Sequence, residues 1–346
     1  MRNSVYLAAI LIVVALDIHW SNSQDLQEQI RPPKFDERIN EFVWQWQQLP
    51  DRRSYWAHIA MDNRGPGRQA WFEYLYRISL SNSPESGRRI RVDGVKSQHS
   101  AGTIQGQYHD LLLLGKHVSA IVLGPGSVST RGVSRKVLDI QDKDAVVTSA
   151  TDLYAFDPFW VSLGSFTTVK RSQNVAPVLQ AWSAMHVAEE MLRADGTYEV
   201  LAISANGLSA TEVIFAKEPA WMPVEVRSYF DVKNQSSPMP ASKVQRKHVQ
   251  TWTLVSHTKT EWTEIKSAED QKRIVPKKFV MYQLIRSVNH ENDVVIDVDG
   301  WKFDKEVPAP LFSEEEFEST VRSFELSEGQ TLFKMHDKEV KKTRSP

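Results

Sequence analysis

The stretch Tyr198–Asp231, YEVLAISANGLSATEVIFAKEPAWMPVEVRSYFD, decides the fold. It reads as three strands in series, Tyr198–Ser204, Thr211–Ala216 and Met222–Asp231, with apolar side chains at every second position. Asn206-Gly207 between the first two is a type I′ hairpin signal. Parallel neighbours need a crossover of a dozen or more residues, and no helix fits in these gaps. Antiparallel pairing follows.

The same period of two extends in both directions. Upstream it marks Ser54–Met61, Ala70–Leu80, Arg88–Val95, Tyr108–Gly115 and His117–Leu123, with turns at Gly65-Pro66-Gly67, Ser83-Pro84, Asp93-Gly94 and Gly124-Pro125-Gly126. Downstream it marks Val249–Ser256, Glu261–Ile265, Lys278–Val288 and Asp293–Lys302, with Lys233–Ala241 as a loop. Helical spacing occurs in three places. Asp36–Leu49 carries Ile39, Phe42, Val43 and Trp46 on one stripe, Asp36 as a cap and Pro50 as a stop. Asn174–Ala194 carries Val178, Trp182, Met185 and Leu192, with Gly196 at the C′ position. Ser313-x-x-Glu316 is a capping box before Phe317, Val321 and Phe324. The expected architecture is α+β: a large curved antiparallel sheet, half-barrel-like, covered by two or three helices.

Residues 1–23 read as an export leader. Val5–Leu16 is an apolar run too short to span a bilayer, and Ser21-Asn22-Ser23 suits a signal peptidase. The expected organisation is a leader over 1–23, an extended lead-in over 24–35, a single α+β domain over 36–333 and a charged flexible tail over 334–346. An exported chain, periplasmic or extracellular, with no membrane span after cleavage is implied. The formal net charge of −1 gives no field to hold nucleic acid. The chain has no Cys, which excludes thiol catalysis, disulfide staples and Cys-based zinc sites.

The run from Tyr198 onward, with HVQTWTLVSHTKTEWTEI and VPKKFVM behind it and Asp36–Leu49 ahead of it, resembles the LolA/LolB-like lipoprotein carriers. That resemblance implies an N-terminal helix and a long antiparallel sheet bent into a half-barrel whose mouth is plugged by helices. It also implies a non-enzymatic role: holding or escorting an apolar or lipidated ligand, with an acyl chain, a lipoprotein or an envelope protein as partner. It assigns no cofactor.

Each chemistry-bearing motif also has a plain structural reading. Asp297-Val298-Asp299-Gly300…Glu306 imitates a calcium loop but has Val295 at its first position, and reads as a half-exposed strand ending in an Asp-Gly turn. His99, His109 and His117 have no zinc spacing. Gly124-Pro125-Gly126-Ser127 lacks the nucleophile-elbow pattern. No catalytic or metal residue is assigned. Glu225, Asp231, Glu261, Glu264, Asp297 and Asp299 keep a carboxylate hydrolase open as an alternative. Ahead of the hydrolase stands the first alternative, a secreted surface module whose sheet face meets a protein or glycan through exposed Trp. Strand parity puts Met222 and Phe230, Trp252, and Val280, Tyr282 and Leu284 on one apolar trough. The expected ligand lining is Met222, Phe230, Trp252 and Tyr282.

Overall fold

The computed structural model describes residues 35–65, 68–83, 87–100, 103–114, 118–123, 135–140, 158–164, 182, 184–266, 271–285, 290–313, 315–317 and 319. All of these belong to one compact unit within residues 34–346. The predicted leader, the lead-in up to residue 34 and the charged tail lie outside them, as do Gly124-Pro125-Gly126-Ser127 and His117.

Thirteen strands form one antiparallel sheet. In chain order they are β1 (Arg52–Gly65), β2 (Arg68–Ser83), β3 (Gly87–Ser100), β4 (Thr103–Leu114), β5 (Val118–Leu123), β6 (Arg135–Ile140), β7 (His186–Leu192), β8 (Tyr198–Ile203), β9 (Ser209–Ala216), β10 (Met222–Phe230), β11 (Thr253–Lys266), β12 (Lys272–Ile285) and β13 (His290–Phe303). Across the sheet the order is β6-β5-β4-β3-β2-β1-β13-β12-β11-β10-β9-β8-β7. Two meanders therefore meet where β1 pairs with β13, and the sheet is open, with β6 and β7 at its edges. Bulges at Ser54/Trp56, Pro223/Glu225, Ser228/Tyr229 and Glu261/Trp262 increase the local twist and curve it.

One face is apolar. Over β1, β2, β3, β12 and β13 it presents Tyr55, Ile59, Tyr74, Tyr76, Phe279 and Ile296, all buried. Val161 of the short helix α2 (Pro158–Val161) packs on this half. Over β8 to β10 the face continues as Tyr198, Val200, Val213, Phe215, Met222 and Val226, covered by helix α1 (Phe35–Gln47). The stripe of α1 docks as its spacing predicts, with Ile39 and Phe42 buried and Val43 and Trp46 packed beside them. Phe42 meets Phe159 at 6.0 Å and Trp262 at 6.3 Å between ring centroids, and Phe159 meets Trp262 at 5.3 Å. The expected α+β architecture, a curved antiparallel sheet with helices laid on it, is present.

Several expectations are corrected. The helix predicted over Asn174–Ala194 is, over its described C-terminal part, edge strand β7. Asp195-Gly196 turns the chain back into β8: Gly196 has φ +81°, and Arg193 N donates to Thr197 O at 2.8 Å. Helix-forming Ala, Glu, Met and Leu are overridden there by pairing with β8. Asn206-Gly207 does join β8 to β9, through a longer loop than a two-residue I′ turn. Gly207 N donates to Ser204 O and Ser204 N to Ser209 O, with only Gly207 at positive φ. Arg246–Val249 forms a helical turn, α3, where a strand start was expected, and Thr253–Lys266 is one continuous strand. The strand β6 was not anticipated.

Two glycines expected at turns lie inside strands because aromatic rings need their space. Gly94 pairs with Tyr76 across β2–β3, and a Cβ on it would fall 1.7 Å from Tyr76 Cδ1. Gly300, at φ +59°, sits where β13 bulges past β1, and a Cβ would come 2.7 Å from Trp56 Cδ1. The Gly94→Ala variant should lose about 1–3 kcal/mol of stability through overpacking. Urea unfolding of the two proteins measures it, and an unchanged midpoint would contradict this packing.

Candidate functional site

The face opposite the apolar one carries charge where β7 to β11 cross it. Register brings Glu212, Arg227 and His257 side by side on β9, β10 and β11. Arg227 Nη1 donates to Glu212 Oε2 at 2.7 Å, and Arg227 Nη2 reaches Glu225. Glu225 Oε1 lies 2.5 Å from His257 Nε2. Above them runs the segment 241–252, comprising a single 3-10 turn and α3. Its Val244 and Val249 bury themselves on Leu201, Ile203 and Ala210, with Tyr229 and Trp252 packed alongside.

Arg246 of α3 points down between those two valines. Its Nε sits 2.8 Å from Glu189 Oε2, its Nη2 2.7 Å from Glu199 Oε1, and its Nη1 reaches Glu212. Arg193 reaches the other oxygen of Glu199. The Glu199 side chain is wholly buried and that of Glu212 nearly so, which requires these partners. Burial pushes the Glu212 carboxyl up, but hydrogen bonds shared with Glu199 and donated by Arg227 and Arg246 outweigh it and hold Glu212 below the usual carboxylate range. The same carboxylates raise the Arg246 guanidinium against its own desolvation. This cluster fastens a strap over the sheet, and no single segment of the sequence announces it.

A second strap lies at the other end of the same face. Asp93 accepts from Arg77 at 2.9 Å and from Arg91 at 3.1 Å, and Arg91 and Arg89 donate to the carbonyls of Leu311 and Phe312 at 3.1 and 2.8 Å. Ser313 Oγ accepts from Glu316 N at 3.2 Å, the serine half of the predicted capping box. Phe312 and Phe317 are buried beneath this turn.

The four residues expected to line a ligand site divide between the faces. Met222 is fully buried on the apolar face, in the cluster under α1. Phe230 falls on that face by alternation from Tyr229 and is half-buried. Trp252 packs on the opposite face under the first strap. Tyr282 is also on the opposite face, in register with His257. On β12 the odd residues Phe279 and Met281 enter the core while Val280 is 45 % exposed, so Val280, Tyr282 and Leu284 turn away from the trough. Burial and the nearby carboxylates of Glu291 and Asp293 raise the Tyr282 phenol.

The acids named for hydrolysis do not gather. Asp231 is buried and accepts from Lys233 N, Asn234 N and Asn234 Nδ2, closing the turn after β10. Glu264 pairs with Lys272, and Glu261 and Asp297 are exposed on either side of Lys278. Glu225 joins the network of Arg227 and His257. The Asp297–Gly300 stretch continues through Gly300 into β13, so it ends in neither a calcium loop nor a turn. Register sets His99 opposite Ile104 and His109 opposite Val95, four rows apart. Among the described residues no group of three metal-ligating side chains converges, and no helix is long and apolar enough to cross a membrane.

No family model and no curated protein matches this chain. It is similar to the crystal structure of a DUF1329 family protein from Desulfovibrio piger, at TM-score 0.41 and 11 % identity over 82 % of this chain and 98 % of that one. It is similar to a domain described as outer membrane lipoprotein-sorting from Vibrio parahaemolyticus, at TM-score 0.40 and 9 % identity over 81 % and 97 %. A beta-barrel-like protein of a domain of unknown function, DUF1849, from Brucella abortus matches at TM-score 0.21 and 8 % identity over 72 % and 98 %. Likeness at these levels carries no inference about this chain, and the architecture stands on its own strand pairing.

Removing Arg246 leaves Glu199 and Glu212 buried without their shared cation. Arg246→Met should cost about 3 kcal/mol in urea unfolding. Because Glu212 titrates lower folded than unfolded, its contribution is complete above the unfolded carboxylate value, about 4.3, and is lost as pH falls through the folded value. Stability should therefore drop on acidification below about pH 4.3, and less steeply in Glu212→Gln. Equal acid slopes in the two proteins would contradict this arrangement.

Proposed function

We propose that the protein is a non-enzymatic, exported binder that holds an apolar or lipidated ligand against the apolar face of its sheet. The observation that supports this is one of size. The apolar face runs from β3 across β2, β1, β13, β12, β11, β10 and β9 to β8, roughly 38 Å at about 4.8 Å per strand. The helix α1, 13 residues long, spans about 20 Å. It packs on the β8–β10 half, and Val161 of α2 packs on the other half, whose residues are buried. Apolar surface of this extent suits an acyl chain, whose burial contributes about 0.8 kcal/mol per methylene. Of the residues expected to line the site, Met222 and Phe230 belong to this face and remain in the proposal. Trp252 and Tyr282 fit better as parts of the strapped face. The export leader, read from residues 1–23, gives the setting: the cell envelope or the medium.

A second reading, a surface module for protein partners, is favoured by edge strand β7. It exposes Val187, Met191 and Leu192 at 36–50 % along a strand that has a single neighbour among the described strands.

Tryptophan quenching separates the two. Trp301 packs against both halves of the apolar face, whereas Trp44 is 54 % exposed on the outer side of α1. A brominated fatty acid should quench the protein saturably, and Trp301→Phe should remove part of the quenchable signal. Trp301 Nε1 makes no hydrogen bond among the described residues, so this substitution breaks none there. Quenching that never saturates, or that Trp301→Phe leaves unchanged, would overturn the acyl-ligand reading and leave the surface module.

A further inference from the structure

Following the register across the apolar face reveals rows of like chemistry. One row contains Val200, Val213, Val226, Thr258, Met281 and Val294 on successive strands β8 to β13. The next row toward one end of the strands contains Thr211, Ser228, Ser256, Gln283 and Asn292, and Asn63 holds the matching register position on β1. Thr211, Ser228, Ser256, Gln283 and Asn292 each lie two positions along their strand from the member of the first row, so the row belongs to the same face. Six adjacent strands thus carry an uncharged hydrogen-bonding residue at one level, a band about 24 Å long at ~4.8 Å per strand.

The band contains no charged residue. The charges of this part of the sheet, Glu212, Arg227, His257 and Asp293, occupy the opposite face. Asn292 is more than nine-tenths buried, and its Oδ1 has no hydrogen-bond partner among the described residues. Thr258 Oγ1, one row deeper and 1 % exposed, is in the same condition. Leaving a buried polar atom unpaired is unfavourable, so two of them in and beside an uncharged polar band point to a ligand that supplies the missing partners.

We propose that this band is the headgroup subsite of the apolar face, and that the ligand is an uncharged acylglycerol-type amphiphile. Its chain lies on the valine–methionine row and beyond. Its hydroxyl and ester groups meet Ser256, Gln283 and Asn292. A carboxylate or phosphate head at this level would be desolvated with no cation in the band to meet it. The inference rests on the acyl-ligand reading above and adds the class of head.

The test uses the full chain and two brominated ligands of equal chain length, a fatty acid and its monoacylglycerol, followed by tryptophan quenching at neutral pH. The monoacylglycerol should bind about tenfold more tightly, the equivalent of one satisfied buried partner. Asn292→Leu should erase that preference. Ser256→Val, at a half-buried position, gives the same readout should the leucine variant fail to fold. Equal binding of the two ligands to the parent protein, or a preference that survives both substitutions, overturns the headgroup subsite and spares the acyl-ligand reading. Binding of neither ligand overturns both.

Discussion

Strand register is the constraint on which the rest of the structure depends. From β8 to β13, and on into β1, residues of one chemical kind stand in line because every pair holds its alignment or shifts it at a defined bulge. A slip of one residue in β10 would turn Arg227 into the core and Val226 out of it, since the side-chain period is two. The bulges at Ser228/Tyr229 and Glu261/Trp262 are part of this register. The second brings Trp262 to the ring cluster of α1, where its Nε1 donates to Pro223 O at 2.8 Å.

A sheet this large must cover two faces, and the chain uses different means for each. The apolar face is covered by an amphipathic helix through rings: Phe35 stacks on Trp182 at 6.1 Å, and the Arg38 guanidinium lies 3.9 Å over Trp221. The opposite face is covered by two short straps held through arginines. Arg246 comes from the strap to carboxylates on the sheet, whereas Arg89 and Arg91 come from the sheet to carbonyls on the strap. The polarity is reversed, but the logic is common. Each strap brings a few apolar side chains and lets charge-assisted hydrogen bonds fix its position.

Much of this was legible in the sequence, for reasons that separate local from distant signals. Strands such as Tyr198–Ile203 and Thr211–Ala216 announce themselves by alternation, and α1 by its stripe, because those patterns are local. The helix read over Asn174–Ala194 gives way to a strand over His186–Leu192, where Ala, Glu and Met favour helix while Asp195-Gly196 turns the chain back on itself. Asp93-Gly94 looked like a turn because the reason for that glycine, the ring of Tyr76, sits on another strand. Tyr282 was assigned to the apolar trough by parity within its own strand, and which parity faces the core is set by register with β13. The cluster around Arg246 was invisible, since its partners Glu189 and Glu212 lie 57 and 34 residues away. The uncharged band was hidden for the same reason: Ser228, Ser256, Gln283 and Asn292 form a row only once four strands are paired.

The central claim is that the apolar face exists to hold a ligand as well as to fold. Native mass spectrometry of the protein purified from its own host, set against its denatured mass, addresses it most directly. The account predicts an added mass in the range of an acylated lipid that disappears on denaturation. A native mass equal to that of the polypeptide alone, from protein that also takes up no acyl chain when offered one, would contradict it.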